Sequence, residues 1–103
     1  MSVVVLATFQ AKTGDELNLL DALRESIPGI HDEAGCDLFA LHEGDGGSIV
    51  LIEKWESEGL LEAHLAGEPV ADLVRRIQPL VASDPIVTRL RSVPAGTSLQ
   101  GTI

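Results

Sequence analysis

The chain has 103 residues, which is the length of a single domain. Hydrophobic residues make up 45% of it, too large a share for a disordered chain. The net charge of −9 would repel both a nucleic-acid backbone and anionic lipids, so we expect neither nucleic acid nor membrane as a partner.

The chain also lacks the marks of a membrane or secreted protein. Its longest apolar run, Val3 to Ala7, is far shorter than the ~20 residues that cross a bilayer. No basic region precedes this run and no small-residue cleavage site follows it, so we expect no secretory signal. Cys36 is the only cysteine, which excludes an internal disulfide and predicts a reducing, cytoplasmic location.

The first half of the chain predicts a strand, a helix and a hairpin. Residues 3–9 are rich in β-branched side chains and are apolar on both alternating faces, which predicts a strand covered on both sides. Thr13 and Glu16 form a capping-box pattern before a helix. The helical spacing of apolar residues predicts that its packed stripe is formed by Leu17, Leu20, Leu23 and Ile27.

The next segments predict three strands and a broken helix. Residues 37–43 and 48–55 form a hairpin around a glycine-rich turn. Ser57 caps the next helix, and Pro69 fits the first turn of another. A fourth strand over 86–93 completes a ferredoxin-like β-α-β-β-α-β order, which is an α+β fold with an antiparallel sheet. We expect one domain over residues 1–93 and a tail over 94–103.

Helices can cover only one face of such a sheet. The two central strands are also apolar on the other face, at Val4, Leu6, Val50 and Ile52. We therefore expect a homodimer in which a second copy covers this face. The alternative is a monomer with an incidentally apolar face.

No motif in the sequence predicts a bound metal or cofactor. The three histidines have no neighbouring His or Cys at a helical ligand spacing. Cys36 stands at a strand entry, where a packed and inert thiol is expected. We therefore expect no cofactor.

Trp55 and His64 are the most informative pair. Trp55 ends a strand and His64 lies in the following helix, so both can reach one cleft and serve an aromatic ligand that exchanges a proton. The alternative is a core tryptophan beside a half-buried histidine. Glu53 shares the strand face of Trp55 and either pairs with an arginine such as Arg75 or stays an edge charge. Alternation leaves open whether His42 faces the pocket or solvent.

Residues 3–93 resemble the antibiotic biosynthesis monooxygenase family. The resemblance rests on the strand over 3–9 with Lys12–Gly14 after it, on the Gly35-Cys36 step, and most of all on Glu-Lys-Trp-Glu-Ser at 53–57 followed by Leu-Glu-Ala-His-Leu at 61–65. It implies a dimeric α/β barrel, in which two ferredoxin-like sheets meet face to face. The family includes cofactor-free oxygenases of polycyclic phenols, quinol monooxygenases, heme-degrading enzymes and an isomerase of a phosphorylated pentanedione.

The chain departs from two branches of that family. Where the heme-degrading branch has Asn, Trp and His, this sequence has Ala7, His64 and Val74. Where many relatives have a Pro-His-aromatic step, Glu68, Pro69 and Val70 stand here. The resemblance therefore argues against heme cleavage and weakens the isomerase reading.

The resemblance and the residues together predict a cofactor-independent monooxygenase acting on a phenolic or quinol-type substrate. We expect His64 as base and Trp55 as wall for catalysis. The expected substrate-binding residues are Val5, Ala7, Phe9, His42, Glu53 and Arg75. One alternative is a dimer that binds an apolar metabolite without catalysis. The other is an isomerase of a small carbonyl compound, which needs polar groups such as His42, His64 and Arg75 to converge.

Overall fold

The computed structural model describes residues 1–103, the whole of the sequence. Its elements in chain order are β1 (Val3–Phe9), α1 (Glu16–His31), β2 (Cys36–Glu43), β3 (Ile49–Trp55), α2 (Glu58–Leu65), α3 (Glu68–Ile77) and β4 (Ile86–Leu90). A short 3₁₀ turn over Asp45–Gly47 joins β2 to β3. The predicted ferredoxin-like α+β fold is confirmed.

The four strands form one antiparallel sheet in the order β2-β3-β1-β4. Val5 in β1 pairs with Glu53 of β3 on one side and with Arg89 of β4 on the other. Glu53 in turn pairs with Phe39 of β2. Because paired residues point to the same face of a sheet, these four side chains form one row across the helix-covered face. We call Phe39, Glu53, Val5 and Arg89 the central row.

The core lies between this face of the sheet and the helices. From β1 and β3 it takes Val3, Val5, Ala7, Phe9, Ile49, Leu51 and Trp55. Against them pack Leu19, Leu20, Leu23 and Ile30 of α1 and Leu61, Leu73 and Ile77 of α2 and α3. Each large side chain buried in this way stabilises the fold by about 1.5–3 kcal/mol relative to exposure.

The packed stripe of α1 differs from the predicted one. Leu17 is 75% exposed, whereas Leu19, which is not part of the predicted stripe, is fully buried. The true stripe passes through Ser26, whose buried hydroxyl donates to the Ala22 carbonyl oxygen at 2.9 Å. A polar residue inside the stripe hides its period from an analysis based on apolar spacing.

The start of α1 also differs from the prediction. The N-cap residue is Asp15, and the capping box between Thr13 and Glu16 does not form. The chain turns first at Gly14, whose φ of +91° favours glycine. The Asp15 carboxylate then accepts a hydrogen bond from Asn18 Nδ2 at 3.1 Å.

The remaining helix signals are confirmed. Ser57 caps α2, since its hydroxyl accepts the Leu60 N–H at 3.2 Å. Pro69 lies in the first turn of α3.

β4 ends at Leu90 rather than at 93, and no helix or strand follows it. No helix is both long enough and apolar enough to cross a membrane.

The face of the sheet away from the helices carries Leu6, Val50 and Ile52, all half-buried. Val4 on this face is only 5% exposed. A groove beside it is lined by Leu90 and by tail residues 100–103. The apolar character expected of this face is present.

Candidate functional site

A cavity of about 240 Å³ lies between the covered face of the sheet and helices α2 and α3. Its floor includes Val5, Ala7, Phe9 and Leu51. Its roof is formed by apolar residues of the two helices: Leu61, Leu65, Val70, Leu73, Val74 and Ile77. Among its lining residues only Glu53, His64 and Arg89 have polar or charged side chains. Such a cavity suits an apolar ligand that carries few polar groups.

His64 marks the closed end of the cavity. It lies on α2 and is only 3% exposed. Its Nδ1 is 2.9 Å from Glu33 Oε2, and this is the one hydrogen bond of the ring within the protein. Since a carboxylate only accepts, Nδ1 carries a proton and Nε2 is the basic nitrogen of the neutral ring. The site therefore contains an oriented base of the kind that general acid–base catalysis uses.

Glu33 reaches His64 because of a close approach between two segments. It lies in the loop after α1, and Gly35 of the same loop has φ +80°. A Cβ on Gly35 would meet the side chain of Leu60 in α2 at 2.5 Å. Only glycine lets the loop pack so tightly on α2, which brings the Glu33 carboxylate beside the imidazole.

Trp55 stands behind His64 and does not line the cavity itself. It is fully buried, and its ring stacks on the imidazole with a centroid distance of 4.3 Å and an angle of 29°. Its Nε1–H donates to Glu53 Oε1 at 2.9 Å. Phe39 packs against both rings in a T-shaped arrangement. The indole thus fixes the plane of His64 and the position of Glu53 together.

Glu53 is a carboxyl group in the middle of the sheet, only 6% exposed. Burial raises its pKa above the ordinary glutamate value, because desolvation penalises the charged form. The Trp55 hydrogen bond and the nearby His64 oppose this rise in pKa. In its neutral form Glu53 can donate a hydrogen bond to a ligand oxygen in the cavity.

The open end of the cavity lies under β4. All five residues of this strand are exposed, and Val87 and Arg89 line the cavity from it. The Arg89 side chain is 46% exposed, and its Nη2 lies 2.8 Å from Glu62 Oε1 of α2. This ion pair joins the strand and the helix at the cavity rim.

The structure brings most of the expected site residues together. Val5, Ala7, Phe9, Glu53 and His64 line the cavity, with Trp55 directly behind. His42 and Arg75 do not line it.

His42 pairs with Val50 on the opposite face of the sheet, because alternation along β2 turns it away from the helices. Arg75 is 63% exposed on α3 and pairs with Asp72 at 3.5 Å. The three residues named as examples for the isomerase alternative, His42, His64 and Arg75, therefore do not converge.

Sequence reasoning missed Glu33 and Arg89. Glu33 lies in a loop that has no periodicity to mark it, and its partner is 31 residues away. Arg89 had a usable signal, since it alternates with Val87 along a strand that pairs with β1.

The sequence model of the antibiotic biosynthesis monooxygenase family matches residues 2–76. The chain therefore belongs to this family, which confirms the resemblance found in its sequence. No curated protein matches the sequence.

Solved structures agree with this assignment. Rv0793 from Mycobacterium tuberculosis is 26% identical with a TM-score of 0.86, and the match covers 94% of this chain and 100% of that one. A structure described as an antibiotic biosynthesis monooxygenase is also 26% identical, with a TM-score of 0.81, covering 89% and 99%. A conserved protein from Methanosarcina mazei shares the fold with a TM-score of 0.82 at 16% identity, covering 88% and 92%.

Proposed function

We propose that this protein is a cofactor-independent monooxygenase that oxidises a phenolic or quinol-type aromatic substrate with O₂. The observation that carries the proposal is the Glu33–His64 pair, a buried and oriented base in a cavity whose other walls are almost entirely apolar. Membership of the antibiotic biosynthesis monooxygenase family supports the same class of reaction.

The first step is removal of a proton from the substrate. His64 Nε2 accepts it, and the Glu33 carboxylate stabilises the imidazolium that forms. The stacked Trp55 ring holds the imidazole plane and acts through His64, as a positioning residue. Glu53 in its neutral form donates a hydrogen bond to the substrate oxygen on which negative charge collects.

The substrate anion then supplies the electrons. In the keto tautomer of such a phenol, as in an anthrone, one ring carbon bears two hydrogens. Removal of the first as a proton leaves a carbanion, which transfers an electron to O₂, and the resulting radicals combine in a C–O bond. Protonation from His64 gives a hydroperoxide. Loss of the second hydrogen as a proton, with cleavage of the O–O bond, leaves a carbonyl group and releases water. One oxygen atom enters the product and the other enters water, and apolar walls keep bulk water from the anion.

The test is oxygen consumption by the purified protein with a panel of quinols and anthrone-type phenols, beside a protein-free blank. We expect uptake above the blank, with a loss of about 10²–10⁴-fold in a His64→Ala variant. Leu17→Ala, at an exposed position of α1 that lies outside both the cavity and the open face of the sheet, is the control and should keep the native rate. Unchanged turnover in His64→Ala would refute the role of His64.

Absence of uptake across the whole panel would favour a second candidate function, a dimer that binds an apolar metabolite without catalysis. The observation behind this alternative is that only three lining side chains are polar or charged. Tight binding of an aromatic probe without oxygen uptake would distinguish it from the oxygenase.

We also propose that the protein works as a homodimer joined through the open face of its sheet. Support comes from Leu6, Val50 and Ile52, which leave an apolar surface there. Ile52→Glu should convert the dimer to a monomer in light scattering coupled to gel filtration, because it would bury an unpaired charge at the interface. Leu17→Glu changes an exposed apolar residue on α1 and should stay dimeric. A dimeric Ile52→Glu variant would contradict this interface.

A further inference from the structure

The cavity has opposite chemistry at its two ends. In the central row, Glu53 and Arg89 stand on either side of Val5, two strand spacings apart. Adjacent strands are roughly 4.8 Å apart, so about 10 Å separates the two backbone positions. A carboxyl group with a neighbouring imidazole therefore faces one end of a bound ligand, and a guanidinium faces the other.

Arg89 is the only permanently cationic side chain that lines the cavity. Its Nη2 approaches Glu62 Oε1 at 2.8 Å, and its other N–H groups bond to no group of the chain. A guanidinium has five donors, so most of this capacity is free for a planar acceptor such as a carboxylate.

The surroundings of Arg89 favour a permanently charged ligand group at the open end of the cavity. A carboxylate deep in the cavity would lose its hydration among apolar side chains and would lie close to the Glu33 carboxylate beside His64. Beside Arg89 it would stay partly hydrated, because that side chain is 46% exposed. The desolvation cost is small at that point and the guanidinium offsets it.

From this arrangement we infer a substrate class, and the inference rests on the oxygenase proposed above. The substrate is an aromatic acid: a ring system with its oxidised position at the Glu33–His64 pair and a carboxylate, or a similarly acidic group, bound by Arg89 at the open end. Arg89 is then a specificity-determining residue.

Glu62 tunes this recognition. Its carboxylate already occupies part of the guanidinium, so a ligand carboxylate competes with it for Arg89. Removing the charge of Glu62 should therefore strengthen acid binding, whereas removing the charge of Arg89 should weaken it. A purely structural ion pair would respond in the same way to loss of either partner.

The experiment compares two matched probes by titration calorimetry: 6-hydroxy-2-naphthoate and its neutral methyl ester. The measured quantity is the ratio of acid affinity to ester affinity. Arg89→Gln should lower this ratio by about tenfold relative to the native protein, the size expected for loss of one charge-assisted pair. Glu62→Gln should raise it by a few-fold, since an exposed ion pair is weak.

Arg24→Gln is the control for net charge. Arg24 lies on α1, away from the cavity, and pairs only with Asp21. The Arg24→Gln variant should keep the native ratio of acid affinity to ester affinity. The ester affinity, which does not depend on Arg89, reports in each variant whether the cavity itself is intact.

The outcomes separate this inference from the proposed function. An unchanged ratio in Arg89→Gln, with both probes still bound, would overturn the acid specificity and leave the oxygenase proposal standing. Failure of the native protein to bind either probe would overturn the aromatic cavity and the acid specificity together.

Discussion

The two ends of the cavity differ in how firmly their side chains are held. At the closed end Trp55, His64 and Glu53 are buried, and each makes a hydrogen bond to another side chain of the site. At the open end Val87 is 61% exposed, and the Arg89–Glu62 pair stands half in solvent.

Under the proposed function, the two ends of the cavity have two separate tasks. Proton transfer needs a fixed geometry, which the buried and mutually bonded groups of the closed end supply. Recognition of an acidic group at the edge of a ligand tolerates more adaptable side chains, which the half-exposed open end supplies. Substitutions at the closed end and at the open end should therefore differ in their effects on stability and activity, and measuring these effects tests the difference between the two ends.

The largest expected effect is on stability. Trp55→Phe leaves a void behind His64 and removes the hydrogen bond to Glu53, so we expect the free energy of unfolding to fall by about 2 kcal/mol. Val87→Ala at the open end should change it by less than about 0.5 kcal/mol, as is usual for exposed positions. Urea unfolding measures both. Equal losses of unfolding free energy in Trp55→Phe and Val87→Ala would contradict the difference between the two ends.

A smaller effect is expected on the chemistry. Glu33→Gln keeps an acceptor for His64 Nδ1 but removes the negative charge that stabilises the imidazolium. We expect kcat to fall by about tenfold with KM nearly unchanged, the range found when the partner of a functional histidine is altered. Glu25→Gln removes a charge from the exposed ion pair between Glu25 of α1 and Arg76 of α3, and it serves as control. A rise in KM without a change in kcat would contradict the assigned role.

The smallest effect concerns the pH dependence of stability. Because burial raises the pKa of Glu53 in the folded state, the folded protein holds this proton more tightly than the unfolded chain does. The contribution of this proton to the free energy of unfolding is complete below the ordinary glutamate pKa. It is lost as the pH rises through the raised pKa of Glu53 in the folded state. Glu53→Gln removes this dependence, so the variant should gain stability relative to the native protein as the pH rises over that window. If the free energies of unfolding of the native protein and of Glu53→Gln changed with pH in parallel, this prediction would be contradicted.

Much of the fold could be predicted because its signals are local. The Ser57 cap, Pro69 at a helix start and the turn between β2 and β3 each act within a few residues. The buried stripe of α1 could not be predicted, because it includes Ser26, a polar residue that interrupts the apolar period and whose hydroxyl bonds to a carbonyl of its own helix. β4 is shorter than predicted, because its pairing with β1 ends at Leu90 opposite Val4 and the residues that follow pair with no strand.

The site could be predicted in part. His64 and Trp55 stand out as rare residue types, and strand alternation gives Val5, Ala7 and Phe9 a common face. Glu33 could not be found, because its role depends on the tight packing of its loop against α2 at Gly35. Contacts between distant segments arise from tertiary packing, and neither period nor propensity encodes them.

The most direct test of the central claim is to follow the oxygen atoms. The native protein is incubated with an anthrone-type phenol under ¹⁸O₂, and the product is analysed by mass spectrometry beside a protein-free blank. We expect one labelled oxygen atom per product molecule and the other in water, at a rate that collapses in His64→Ala. A product without label, or one formed as quickly in the blank, would contradict the claim that this cavity is the site of an oxygenase.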